Sequence, residues 1–379
     1  MGALGRKRWL DATRLNGAGL NWAGLNWAGR RVVLLTAAAL AATAALAGCG
    51  SDDDGDGGSA DGKVIALLLP ESKTTRYEAF DRPMFEAKVA ELCSDCTVKY
   101  FNADQDAAKQ QQQVESALSQ DARVIVLDPV DGAGAGSMVQ SAQDAGATVV
   151  AYDRFIPEAD YYMSFDNETV GRMQGEALVE AMKDTGNILM LNGAPSDPNA
   201  AQFKAGAHSV LDDSNITVLA EYDNPDWSPE NAQQWTSDQL GKTEASEVDG
   251  VYAANDGQAG GVVAAMTGAG VAANALPPIT GQDAELAAIQ RIVAGQQAMT
   301  IYKPIRVEAE KAAEVAVNLV NGDDVGETTD FEGVPSFIFD PIVVTQDNVM
   351  DTVVADDFHS VSDICTSDYK DACTKAGVK

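Results

Sequence analysis

The chain has 379 residues, with 26 basic and 57 acidic side chains and a formal net charge of −31. That length allows a leader plus two lobes of ordinary domain size, and a charge of this sign argues against nucleic acid or an anionic membrane surface as partner. His208 and His359 are the only histidines and neither has a partner at ligand spacing, so no metal centre is expected.

The first 48 residues read as a leader. Arg30 and Arg31 precede an apolar run, Val32 to Ala47, that is too short and too alanine-rich for a membrane span. A basic segment, a short apolar core and small residues at the junction describe a secretory signal. Its end, Leu46-Ala47-Gly48-Cys49, resembles a bacterial lipoprotein lipobox, which implies acylation of Cys49. Residues 49–62 are rich in Asp and Gly and read as a solvated tether. Without residues 1–48 the chain keeps 20 basic and 56 acidic side chains, a balance of −36. A lipid on Cys49 and a flexible leader would hold the body to the outer face of the cytoplasmic membrane.

From Lys63 onward, apolar runs alternate with helical patterns: strands over 63–69, 97–101, 123–127, 147–152, 187–192, 216–222, 249–254, 278–281 and 298–302. Helical periodicity runs over Tyr77–Leu92, Ala107–Leu118, Val170–Met182 and Leu286–Val293. This alternation predicts parallel sheets covered on both faces. The glutamines 110–113 are expected on a solvated helix face. Gly132-Ala-Gly-Ala-Gly136 lacks the third glycine of a dinucleotide loop at the required spacing, and no nucleotide cofactor is expected.

Tyr161–Asn167 is a short strand with no long helix before it, and it reads as a crossing into a second lobe. A helix over Pro304–Val320 would return to the first lobe, and Pro335–Val344 would cross again. The expected organisation is an N-terminal lobe of 63–164 plus 303–337, a C-terminal lobe of 165–302 plus 338–360, and a tail of 361–379. Three crossings make a hinge that can close over a ligand.

Four further cysteines fit export: Cys93, Cys96, Cys365 and Cys373. Local pairing, 93 with 96 and 365 with 373, is the simplest of three connectivities. A redox role for Cys93-Ser-Asp-Cys96 is disfavoured, because the motif ends a helix instead of opening one.

Polar residues recur at strand ends. Asp153 and Arg154 follow one strand, Asn255 and Asp256 another, Gln282 and Asp283 a third, and Lys303 a fourth. Ligands of open α/β sheets bind outside the carboxyl ends of strands, so these residues read as one site. Carboxylates, amides and fork donors together suit a ring of neighbouring hydroxyls. Each also has a structural alternative: a hinge salt bridge for Asp153 with Arg154, a packed helix staple for Trp227, a helix cap for Asn255 and a surface ion pair for Lys303.

At these residues the chain resembles the periplasmic-binding-protein-type sugar receptors, and among them the bacterial D-xylose-binding proteins of ABC transporters. The matching segments include Tyr152-Asp-Arg-Phe-Ile156, Tyr162-Met-Ser-Phe-Asp-Asn-Glu-Thr-Val-Gly171, Trp227-Ser-Pro-Glu-Asn-Ala232, Ala254-Asn-Asp-Gly257, Gly281-Gln-Asp-Ala-Glu-Leu286 and Met299-Thr-Ile-Tyr-Lys-Pro-Ile305. The resemblance covers roughly 63–360. It implies two doubly wound parallel-sheet lobes joined by a three-strand hinge, a type I periplasmic binding protein that binds one sugar and is not an enzyme. It also implies a monomer that meets an ABC permease. By matching motif the ligand residues would be Arg76, Tyr77, Asp153, Arg154, Asn199, Trp227, Asn255, Asp283 and Lys303. Tyr77 stands where those receptors place Trp, and Pro198 where they often have a second Asn. Ligand preference therefore stays open among xylose, arabinose, glucose and related aldoses. A sugar sensor that signals to a membrane kinase or chemoreceptor would use the same closed form.

Overall fold

The computed structural model describes residues 62–379, so the leader, Cys49 and nearly all of the tether lie outside the described residues. The first half opens with β1 (Lys63–Leu69), whose Ile65–Leu69 stretch is buried. A single π-helical turn, Tyr77–Asp81, leads into α1 (Arg82–Leu92). Then follow β2 (Cys96–Asn102), α2 (Ala107–Ser119), β3 (Ala122–Leu127), α3 (Gly136–Asp144), β4 (Thr148–Tyr152) and β5 (Tyr161–Phe165).

The second half contains α4 (Asn167–Met182), β6 (Gly186–Asn192), α5 (Pro198–Leu211), β7 (Ile216–Asp223), α6 (Pro229–Leu240), β8 (Gly250–Ala253), α7 (Asp256–Gly268), α8 (Leu286–Val293) and β9 (Thr300–Tyr302). The chain returns through α9 (Ile305–Asn321), which packs on α1, and enters β10 (Thr329–Phe331) and β11 (Val334–Phe339). It then crosses to β12 (Ile342–Val344) and ends in α10 (Val361–Ile364) and α11 (Lys370–Ala376).

Seven strands form one sheet in the order β10-β11-β5-β4-β3-β1-β2, parallel except for the β10–β11 pair. The second half holds a parallel sheet β7-β6-β8 and an antiparallel pair of β12 with β9. The chain passes between the halves at β5 to α4, β9 to α9 and β11 to β12, the three expected crossings. Among the described residues, no helix is long and apolar enough to cross a membrane.

Two expectations are corrected. The strand over 278–281 reduces to single bridges, Val251 with Ile279 and Gln282 with Ile301. Pro277 and Pro278 supply no ladder donors there. Gln110 is buried, not solvated: its Nε2 donates to the Asp128 carbonyl (2.7 Å) and its Oε1 accepts from Val130 N (2.8 Å). The amide thus satisfies the backbone where β3 leaves the sheet. The tail 361–379 packs on the second half, with Ile364, Cys373 and Val378 buried beside Ile289, Val293 and Phe358. Sulfur bridges join Cys93 to Cys96 and Cys365 to Cys373.

Candidate functional site

The strand ends of both halves meet at a small cavity. All nine residues singled out in the sequence line it, together with Thr74, Asp197, Phe203 and Gln282. The π turn sets Arg76 and Tyr77 side by side at its floor, and such turns concentrate at functional sites.

Asp153 follows β4 with φ +58°, Trp227 precedes α6 with φ +59°, and Asp283 has φ +91°. Left-handed backbone costs a non-glycine residue about 1–2 kcal/mol. Three such residues around one cavity are held there by the rest of the fold, a pattern typical of functional sites. Met163 O accepts from Asp153 N (2.8 Å), and Ile301 O accepts from Asp283 N (2.8 Å).

Asp153 is buried at the centre of the cationic cluster. Its Oδ1 accepts from Arg76 Nη1 (3.1 Å), its Oδ2 accepts from the Tyr77 hydroxyl (3.2 Å), and Lys303 Nζ lies 3.8 Å from Oδ1. Burial alone would raise its pKa, but Arg76, Lys303 and Arg154 outweigh burial and bring it down to about 2. Asp153 therefore stays an acceptor. Arg76 also donates to Asp81 and, through Nη2, to Glu308 Oε2 (2.8 Å), which leaves little of its fork for a ligand.

Arg154 does not pair with its neighbour Asp153. Its Nε sits 2.8 Å from Asp197 Oδ2 and 3.4 Å from Asp128 Oδ1, and its Nη1 donates to Pro129 O (3.0 Å). Lys303 is buried and lies 3.1 Å from Asp283 Oδ1, so the surface-pair alternative fails. Asn255 does cap α7, accepting from Gln258 N (3.0 Å), yet it also lines the cavity. Asn199 donates to the Asp153 carbonyl (2.9 Å), joining the two halves.

Trp227 is buried, with Phe203 edge-on to it at 6.4 Å between centroids. Ser228 caps α6 by accepting from Asn231 N (3.1 Å), as its place before Pro229 suggests. The cap and the cavity wall are thus adjacent residues.

Four buried polar atoms on the lining residues lack a protein hydrogen bond: Asn199 Oδ1 and Gln282 Oε1, and also Asp283 Oδ1 and Arg154 Nε, which have only their ion contacts to Lys303 and Asp197. Unpaired buried polar groups are costly, each about 1–3 kcal/mol, so several around one cavity mark a place for a polar ligand.

Of the four lining residues outside the nine, Gln282 was already among the strand-end residues read as one site, and Phe203 lies one helical turn from Asn199 on α5. That spacing was a usable signal. Thr74 and Asp197 carried none beyond a plain loop and a helix cap.

The periplasmic binding protein domain profile matches residues 65–324. The chain belongs to that family. It is 37% identical over 310 residues to a D-xylose-binding periplasmic protein of Escherichia coli (strain K12), covering 79% of this chain and 92% of that one. A multiple sugar-binding periplasmic receptor of Rhizobium radiobacter is 31% identical over 289 residues, covering 69% and 81%. A carbohydrate transporter solute binding protein from Chloroflexus aurantiacus, solved with D-glucose, superimposes with TM-score 0.71 at 27% identity, over 79% of this chain and 97% of that chain. The type I fold of the family accounts for the two sheets and three crossings, and its members are substrate-binding proteins, not enzymes.

Proposed function

We propose that this protein is the extracytoplasmic binding component of an ABC sugar importer, taking one monosaccharide into the cavity between the sheets. D-xylose is the preferred ligand. The observation that carries this reading is the pair of amide oxygens on Asn199 and Gln282 without a protein hydrogen bond, beside the Asp283–Lys303 ion pair, around a cavity walled by the Trp227 ring. An indole face suits the C–H side of a pyranose. Asp153 and Asp283 accept from hydroxyls, Lys303 donates, and Asn199 and Asn255 do either. The identity to D-xylose-binding proteins supports the pentose assignment. Cys49 is the lipid anchor that keeps the protein, as a monomer, at the outer face of the cytoplasmic membrane.

Binding at micromolar strength or better corresponds to about −8 kcal/mol. Closed contacts from both halves make the occupied state the closed one. The test is isothermal titration of the full chain with D-xylose, L-arabinose, ribose and glucose. D-xylose should bind at least tenfold more tightly than the others. A stronger affinity for glucose would move the assignment to an aldohexose.

A further inference from the structure

We propose that Asp197 is a positioning residue that orients the Trp227 ring and ties it to Arg154 from the opposite half. Both Asp197 and Trp227 follow strands of the second half, β6 and β7, whereas Arg154 follows β4 of the first. The Asp197 carboxylate is buried and does three things at once. Its Oδ1 accepts from Asn199 N (2.9 Å) and caps α5, its Oδ2 accepts from Trp227 Nε1 (3.1 Å), and the same Oδ2 lies 2.8 Å from Arg154 Nε.

The ring has few alternatives. Its backbone is held at φ +59°, and a Cβ on Gly193 would stand 2.0 Å from Trp227 Cη2, so the indole lies directly against that backbone. Shape restricts where the ring can go; the bond to Nε1 selects one rotation of it. A buried indole N–H without an acceptor would be costly, so Asp197 decides which face looks into the cavity. The ion contact to Arg154 forms only when the halves meet, and it joins the aromatic wall to the polar one. A helix cap alone would require only the Oδ1 contact. The second oxygen has a separate role.

This inference rests on the sugar-binding reading for its affinity arm, but its first arm needs no ligand. In the full chain, the indole N–H resonance of Trp227 is assigned by its loss in Trp227→Phe. Asp197→Ala should move that resonance upfield and speed its exchange with solvent at least tenfold. An unchanged resonance and exchange rate in folded Asp197→Ala would overturn the proposal. If that variant does not fold, Asp197→Asn keeps a neutral acceptor and should give a smaller upfield shift; no shift would overturn it equally.

The second arm is a cycle with D-xylose. Asp197→Ala should weaken binding at least tenfold in the native background but less than threefold in Trp227→Phe, because the two act through one ring. Fully additive losses would contradict the proposal. If the unsubstituted chain binds none of the sugars, the assigned function falls while the indole arm still decides the role of Asp197.

Discussion

Asp153 and Glu308 face the same Arg76 guanidinium and titrate in opposite directions. Asp153 is held down to about 2, whereas burial, with Asp153 and Asp81 nearby, pushes Glu308 up to about 8. Between the ordinary carboxyl range and about 8, the folded chain keeps a proton on Glu308 that the unfolded chain releases. Its contribution to stability is therefore full below the unfolded pKa and is lost as pH rises through the folded one. Asp153 adds nothing to this window, since its contribution is lost only as pH falls toward 2. Urea titrations at pH 5 to 8 should show the native chain losing stability relative to Glu308→Gln, by up to about 1.4 kcal/mol per pH unit. Parallel curves would refute this. Trp227→Ala should weaken D-xylose binding about 10- to 100-fold, as expected from losing one buried aromatic face worth roughly 1.5–3 kcal/mol, measured by titration on the folded variant. Residues at strand ends were legible because sheet topology gives those positions a meaning. Asp197 was not, because its contact to Arg154 joins β-strand ends that are distant in sequence.

At the scale of elements, the second half depends on close approach of α4 and α5. A Cβ at Gly171 would come within 1.9 Å of the Phe203 carbonyl oxygen, and one at Gly206 within 2.1 Å of the Glu168 oxygen. Both obstacles are backbone, so neither can swing aside. Gly171→Ala should force the helices apart and cost about 1–3 kcal/mol, the range for overpacking. Because Phe203 and Asn199 sit on α5 and line the cavity, the same change should also weaken sugar binding. Chemical denaturation with titration checks both; native stability and affinity together would contradict the packing argument. The alternation of apolar runs revealed most of the strands, while only α1, α2, α4, α8 and α9 were named among the helices. It missed what depends on a partner element: the collapse of 278–281 into single bridges beside two prolines, and the inward turn of Gln110 toward the end of β3.

For the molecule as a whole, contacts between the halves surround the cavity. Thr75 N donates to Glu285 Oε1 (3.2 Å), Gly132 N donates to Ser196 O (3.1 Å), Lys73 pairs with Asp226, and Phe80 stacks on Phe358 at 4.0 Å. Their distribution describes a closed form in which the lining side chains are cut off from solvent. The Gly132 loop, unfit for a nucleotide, serves here at the rim. The lobes and hinge could be anticipated from the order of strands and helices, but these rim contacts could not, since they depend on the angle of closure. A ligand bound only by this closed form raises stability by mass action, about 2.7 kcal/mol at a concentration one hundred times Kd. Saturating D-xylose should accordingly raise the unfolding midpoint, and an unmoved midpoint would contradict closure on the sugar. The most direct test of the central claim is calorimetric titration of D-xylose into the full chain and into Asp283→Ala. The account predicts one site per chain at micromolar strength or better, and at least a hundredfold loss in the folded variant. Equal heats and affinities for both proteins would contradict it.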